Sequence, residues 1–449
     1  MVEFSVLKKT RFSDLIKWNV SELLSNKVLG KYENQPLTNF LVRSKNAIEI
    51  KDEVLYKQLT IHQFGEGVSL RCEKYGKEIG TKRQFIAKKG QFIISRIDAR
   101  NGSFGIVPDF LDGAIVTNDF WLFDIKNADA EFMRLLLSSK KINSFWQSKS
   151  NGTTNRQRVD FDDFIKSSLP IPKLEEQKAI LQKYKENIEQ AEHIEQKAEE
   201  LNQNIGNELI NLIGITVEPK IEKNHSLLTF VKHSRCSRWD VDYILGKHSV
   251  DYILTSKYPI INTRNIILSC QYGSSTKADK NSNNTPVLRM NNIQDGEFVI
   301  NDLKYLNMSE KDLSTYKLNK GDLLFNRTNS KELVGKTAVF EFDSDYVFAS
   351  YLIRVVIDST KANVHYISYL FGSKIIRDQI NSISRQITGQ ANVNAEELKD
   401  FIFPLPPLSV QNEIVSHINQ IKKQVKDLRE QAKILREQAK KEFEETVFE

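Results

Sequence analysis

The chain resembles itself. Trp18-Asn19-Val20 followed by Leu23-Leu24 returns as Trp239-Asp240-Val241 followed by Ile244-Leu245. Gly90-Gln91-Phe92-Ile93-Ile94-Ser95-Arg96 returns as Gly321-Asp322-Leu323-Leu324-Phe325-Asn326-Arg327. Ser139-Lys140 returns as Ser373-Lys374. Pro170-Ile171-Pro172-Lys173-Leu174 with Gln177 returns as Pro404-Leu405-Pro406-Pro407-Leu408 with Gln411. The offsets are 221, 231, 234 and 234 residues, in one order. A period that long is no solenoid unit, so it marks a duplicated domain. The 449 residues then divide as lobe, helix, lobe, helix over 1–168, 169–213, 214–404 and 405–449. That length suits several cores rather than one.

Each lobe reads as mixed α and β. The stretch 287–300 holds a strand, the turn signal Asp295-Gly296 and a second strand. Residues 90–94 and 321–325 are short apolar runs after a glycine and predict buried strands. Stretches 132–146 and 367–380 have helical spacing. Each is followed by a polar loop, at 151–158 in the first lobe and 388–392 in the second. The turn-like octet from Ser330 to Thr337 approaches a phosphate-binding loop but puts Ser330 at the first required glycine, and it predicts strand–turn–strand.

The two long segments carry the clearest periodicity. In the second, Ile414, Ile418, Ile421, Val425, Leu428, Ala432, Leu435 and Ala439 step alternately by 4 and 3 residues, a left-handed coiled-coil seam. In the first, the steps through Leu181, Tyr184, Ile188, Ala191, Ile194, Ala198, Leu201, Ile205, Leu209 and Leu212 are again 3 or 4. Gly206 is its one weak point. Forty helical residues make a rod about 60 Å long, whose apolar stripe needs a partner. The other copy serves, packed antiparallel so that a lobe lies at either end. The pairing residues expected are Leu181, Tyr184, Ile188, Ile414, Ile418, Ile421, Val425, Leu428 and Leu435. Aspartate at Ile421 or Leu428 is expected to bury an unpaired carboxylate.

Charge is unevenly spread. The net charge of +6 comes from +7 on 1–168, −4 on 169–213, +3 on 214–404 and 0 on 405–449. Basic lobes suit a polyanion, although a lysine-rich solvated surface has the same composition. No apolar run approaches a membrane span and the first ten residues lack a secretory apolar stretch, so a cytoplasmic chain is expected. Three cysteines, with no C-x-x-C pair, suit a reducing compartment. Motifs of catalysis are missing: no N-P-P-Y or D-P-P-Y, no G-x-G-x-x-G, and no carboxylate–lysine cluster of a nuclease. His225, His233, Cys236, His248 and Cys270 are irregularly spaced, unlike structural zinc.

Over essentially its whole length the chain resembles the specificity subunit of Type I restriction–modification enzymes. The resemblance rests on the duplicated order and on Arg238-Trp239-Asp240-Val241. It also rests on Leu288-Arg289-Met290-Asn291-Asn292-Ile293 with Asp295-Gly296, on Lys320-Gly321-Asp322-Leu323-Leu324-Phe325-Asn326-Arg327, on Gly389-Gln390-Ala391-Asn392 and on the proline-rich entry to the second helix. The first lobe departs from that pattern, with Asn19 for aspartate and Gly152-Thr153-Thr154-Asn155 in place of the Gly-Gln-Ala-Asn loop. The resemblance implies two target recognition domains joined by two long helices in an antiparallel coiled coil. It implies a non-catalytic reader of a bipartite site on double-stranded DNA that docks two methyltransferase subunits and restriction/translocase subunits. No cofactor or metal is then expected on this chain. S-adenosylmethionine belongs to the methyltransferase partner, and ATP and Mg to the restriction partner. Two further readings are a specificity subunit of a methylation-only system and a coiled-coil scaffold without a DNA role.

The duplication also sorts candidate DNA contacts. Lobes that read different half-sites differ where they touch base edges, so shared residues such as Arg96 and Arg327 are structural or phosphate-binding. The differing loops supply Asn155, Arg156, Gln157 and Arg158 in one lobe and Gln386, Thr388, Gln390 and Asn392 in the other. Such side chains can make bidentate contacts in the major groove, and equally sit in ordinary surface turns. Arg100, Arg289, Asn291 and Asn329 complete the set.

Overall fold

In a computed structural model the described residues are 28, 30–63, 67–97, 102–149, 160–216, 251–280, 283–330, 333–383 and 391–449. The recurring tryptophans Trp18 and Trp239 lie outside them, as do His225, His233, Cys236 and His248. Two compact units emerge: Met1–Glu195 with Glu430–Glu449, and Gln196–Arg429. Their bounds fall inside the two long helices.

The first unit contains β1 (Asn34–Pro36), β2 (Leu41–Ser44), β3 (Ala47–Glu49), β4 (Leu55–Ile61), β5 (Val68–Tyr75), β6 (Arg83–Ile86), β7 (Phe92–Ser95), β8 (Phe104–Ile106), β9 (Ile115–Val116) and β10 (Phe120–Ile125). Then come α1 (Ala130–Ser138), α2 (Lys140–Lys149), α3 (Phe161–Ile165), β11 (Ser168–Pro170) and the start of α4 (Leu174–Leu212). A four-stranded antiparallel sheet runs β2-β10-β7-β8, a ribbon pairs β1 with β11, and a second sheet runs β3-β6-β9-β4-β5.

The second unit contains β12 (Ile260–Asn262), β13 (Ile267–Tyr272), β14 (Thr285–Leu288), β15 (Ile293–Gln294), β16 (Glu297–Phe298), β17 (Lys304–Leu306), α5 (Glu310–Tyr316), β18 (Leu323–Asn326), β19 (Thr328–Asn329), β20 (Thr337–Val339), β21 (Val347–Phe348) and β22 (Leu352–Ile357). It continues with α6 (Val364–Gly372), α7 (Lys374–Ile383), β23 (Ala391–Asn392), α8 (Ala395–Lys399), β24 (Ile402–Pro404) and α9 (Leu408–Phe448). Its four-stranded sheet runs β13-β22-β18-β20, with β12 paired to β24. Strand for strand this is the first unit's sheet and ribbon. The duplication is therefore structural, and the fold is mixed α/β with two such domains joined by two long helices. The second sheets differ: β17-β14-β21 here, plus the β15–β16 hairpin and the short β19–β23 pair.

The shared motifs have local causes. Gly90 and Gly321 have φ of +78° and +87°, a region open to glycine, and each turns the chain into a strand, β7 or β18, that is buried throughout. Asp295 and Gly296 have φ of +49° and +76°, as the two-residue hairpin between β15 and β16 requires. Each helical stretch, at 132–146 and 367–380, is two helices rather than one. Extended Ser139 and Ser373 break them, and their hydroxyls accept from the amides of Ile142 and Ile375. A serine that caps the next helix competes with continuing the first. The long helices likewise start at Leu174 and Leu408, just after the Pro-x-Pro runs at 170–172 and 404–406, whose prolines lack the amides a helix needs.

The recurring glutamines tie each long helix to its lobe. Gln177 accepts from the Asp129 amide at 2.8 Å and donates to the Pro172 carbonyl at 2.8 Å. Gln411 accepts from the Asn363 amide at 2.8 Å and donates to the Pro406 carbonyl at 2.8 Å. Asp129 and Asn363 are themselves the caps of α1 and α6. Gln177 and Gln411 are both 0% exposed. Gln411→Leu leaves an amide and a carbonyl unpaired, at about 1–3 kcal/mol each. We expect its urea unfolding midpoint to fall clearly, Gln177→Leu to match it, and an unchanged midpoint to disprove the docking role.

The long helices run antiparallel where they meet. In the first unit Tyr184 packs edge-on against Phe443 at 6.3 Å, Lys183 pairs with Glu442 at 3.0 Å, and Glu195 pairs with Arg436. In the second, Glu199 pairs with Arg429 at 3.2 Å, and Leu209 and Ile210 share a core with Ile414, Val415 and Ile418. Helix α4 runs unbroken through Gly206 and ends where the Gly214 amide donates to Asn211 and the Ile215 amide to Ile210, closing its last carbonyls. Among the expected seam residues, Leu181, Ile414, Ile418 and Val425 are buried. Tyr184, Ile188, Ile421, Leu428 and Leu435 are half-buried. Aspartate at Ile421 or Leu428 would therefore reach water. Two helices alone cover only one line of knobs fully, and here Ala191, Ala198, Ala432 and Ala439 complete that line.

Candidate nucleic-acid interface

In the first lobe β7 ends at Ser95 and hands the chain to Arg96. The Arg96 amide donates to the Asp119 carbonyl at 2.9 Å, and its guanidinium lies 5.2 Å from the centre of the Trp121 ring. Trp121 sits in β10, between β7 and β2, and is 2% exposed. From β2, Arg43 reaches the same ring at 5.4 Å, Phe161 at 5.0 Å and Phe123 at 5.9 Å. Phe161 meets Trp121 edge-on at 5.1 Å. It is the first residue of α3. Arg100, Asn155, Arg156, Gln157 and Arg158 themselves lie outside the described residues.

The second lobe repeats the arrangement with different parts. The Arg327 amide donates to the Tyr351 carbonyl at 3.0 Å, and its guanidinium lies 4.8 Å from the Tyr272 ring. Arginine thus stacks on an aromatic in both lobes, but the ring comes from β10 in one and β13 in the other. Strand β19 pairs with β23, setting Thr328 opposite Asn392, and the Thr328 hydroxyl donates to Asn392 Oδ1 at 3.3 Å. The Val393 amide donates to the Arg327 carbonyl at 2.9 Å. Arg327, Asn329 by its backbone, and Asn392 are thereby brought together. Gln386, Thr388 and Gln390, just before β23, lie outside the described residues.

Arg289 is engaged elsewhere. Its Nη2 donates to the Asp302 carbonyl at 2.7 Å and lies 3.2 Å from the Asp302 carboxylate. Asn291 is exposed, one residue before Asn292, whose side chain closes the turn onto Arg289 and Val299. Sequence reasoning missed Arg43, Trp121, Tyr272 and Tyr351. Arg43 has no arginine twin in the second lobe, so the repeat could not mark it. Tyr351, 51% exposed, occupies the place of Asp119: each carbonyl receives the shared arginine's amide while the side chains differ. Burial, and then the charge of Arg96, lower the Arg43 guanidinium to about 10, so it stays charged at neutral pH.

Comparison with known proteins agrees with this two-lobed arrangement. The family model for the Type I restriction modification DNA specificity domain matches residues 32–203 and again 266–436. The chain is 26% identical over 292 residues to the Type I restriction enzyme EcoKI specificity subunit of Escherichia coli K12, over 64% of this chain and 57% of that protein. It is 23% identical over 284 residues to the StySPI specificity subunit of Salmonella potsdam, over 61% of this chain and 55% of that one. The chain thus spans little more than half the length of these relatives. A solved chain, from work on assembly and conformational transition of the type I R-M system, shares the fold at a TM-score of 0.51 and 17% identity, over 93% of this chain and 98% of that one. With the family model matched twice across most of its length, the chain belongs to the Type I restriction modification DNA specificity domain family.

Proposed function

We propose that this chain is the sequence-reading subunit of a Type I restriction–modification complex. Each lobe reads one half of a split site on double-stranded DNA. The helix pair spaces the lobes and docks two methyltransferase subunits, which bring S-adenosylmethionine. Restriction/translocase subunits bring ATP and Mg. The chain itself is non-catalytic, as such subunits generally are, and works in the cytoplasm.

The observation that carries this reading is the arginine that follows an interior strand in both lobes, set over an aromatic ring. Stacking fixes the guanidinium plane and leaves its N–H edge for phosphate or guanine. Shared Arg96 and Arg327 position the duplex. The side chains that differ between the lobes, Asp119 against Tyr351 and residues 155–158 against 386, 388, 390 and 392, read bases.

The purified chain is expected to bind duplex DNA weakly, with affinity that falls steeply as salt rises. Adding the methyltransferase partner tightens binding and confines it to one split sequence. Methyl transfer by the purified chain alone, given S-adenosylmethionine, would disprove the non-catalytic role. Salt-independent binding would disprove the reading altogether.

A further inference from the structure

We propose that Arg43 and Arg96 together form a seat for one backbone phosphodiester of the bound duplex, present in the first lobe only. This rests on the DNA-reading role argued above. The two guanidiniums come from the strands on either side of β10, and both lie within 5.4 Å of the Trp121 centroid. Among the described residues neither is held by a carboxylate, and the Nε of each is buried without a hydrogen-bond partner. Arg134, Arg264, Arg289 and Arg354 differ in that each meets Glu or Asp, although the Nε of Arg289 and of Arg354 is likewise buried without a partner.

Two like charges drawn to one apolar ring repel and lose hydration. Ring contacts offset part of this, by about 0.5–2 kcal/mol each. Burial first, and then the charge of Arg96, lower the pKa of the Arg43 guanidinium. A neutral base edge satisfies one guanidinium and does not relieve the other. An anion relieves both, and a phosphodiester offers two free oxygens to several N–H donors at once. Among the described residues the other lobe shows no second cation at the matching place. Arg43 lies opposite Phe123 in the first sheet, and Cys270 lies opposite Val355 at the matching place in the second. Burial pushes the Cys270 thiol up to about 11, so it is neutral there. Arg327 on Tyr272 stands without that companion.

The test is a salt titration of the full chain binding a mixed-sequence DNA duplex, read by fluorescence anisotropy. Arg43→Gln is expected to bind about tenfold more weakly and to flatten the log–log salt slope by up to about 0.9, the share of the one phosphate that Arg43 and Arg96 neutralise together. Arg43→Lys keeps the charge and is expected to keep most of the slope. Arg43→Met retains the stem over the rings and guards against loss of fold, checked by the thermal midpoint; its slope should match that of Arg43→Gln. A steep wild-type slope that folded Arg43→Gln and Arg43→Met both retain overturns the phosphate seat and leaves the DNA-reading role standing. A wild-type chain without salt-dependent binding sinks that role instead. Loss confined to one sequence, or a changed methylation target in cells, makes Arg43 a base contact and also overturns the seat.

Discussion

Val425→Asp is expected to break the helix pair, at a cost of several kcal/mol. Val425 is 4% exposed and lies in the fully covered line of the seam with Ile418 and Ala432. A carboxylate there is withdrawn from water. Leu428→Asp, one step along the same helix, is expected to cost far less because that position is half-buried. Burial raises the pKa of the introduced carboxyl above its unfolded value near 4. Its penalty is therefore full at neutral pH and fades as pH falls through that raised value. Urea unfolding of both variants at pH 7 and pH 5, read by the helical signal, measures this. Equal losses for the two variants, or no recovery toward acid for Val425→Asp, would show that the covered line is misplaced.

Exchange of residues 1–168 for the first lobe of another family member is expected to rewrite one half of the DNA target and leave the other half intact. Each lobe has its own four-stranded sheet, its own core and its own stacked arginine. Nothing in the reading chemistry of one lobe requires the other. A heptad inserted into each long helix should instead change only the gap between half-sites. Seven residues add roughly 10 Å of helix, and a base pair rises about 3.4 Å, so the gap should grow by at most about three pairs. Methylation patterns in cells carrying each form report the outcome. A lobe exchange that alters both half-sites, or an active insertion with an unchanged gap, would refute the spacing role.

The duplication was legible because it is written in residues that backbone geometry demands. Gly90 and Gly321 recur because each turn needs positive φ. Ser139 and Ser373 recur because each caps a helix, and Gln177 and Gln411 because each locks a long helix to its lobe. Local patterns reached the seam for a similar reason: a helix repeats its covered face every 3 or 4 residues whatever lies opposite. They could not say which seam positions are fully covered, since that depends on how two helices meet. Hence Val425 is sealed while Ile421 and Leu428, equally apolar and equally spaced, are not.

The candidate interface divides along the same line. Arg96 and Arg327 were visible because they recur in both lobes, and Asn392 because it sits in a polar stretch. Arg43 and Trp121 were not, since β2 and β10 are far apart in sequence and only sheet order makes them neighbours. Tyr272 likewise meets Arg327 across a strand order that no local spacing encodes. Sequence by itself determined that the chain is two copies of one lobe joined by two apolar-striped helices, because turns, caps and periodicity act over a few residues. Only the tertiary structure decided which aromatic each shared arginine stacks on and where a second cation joins it, because those contacts are made between strands that the chain order keeps apart.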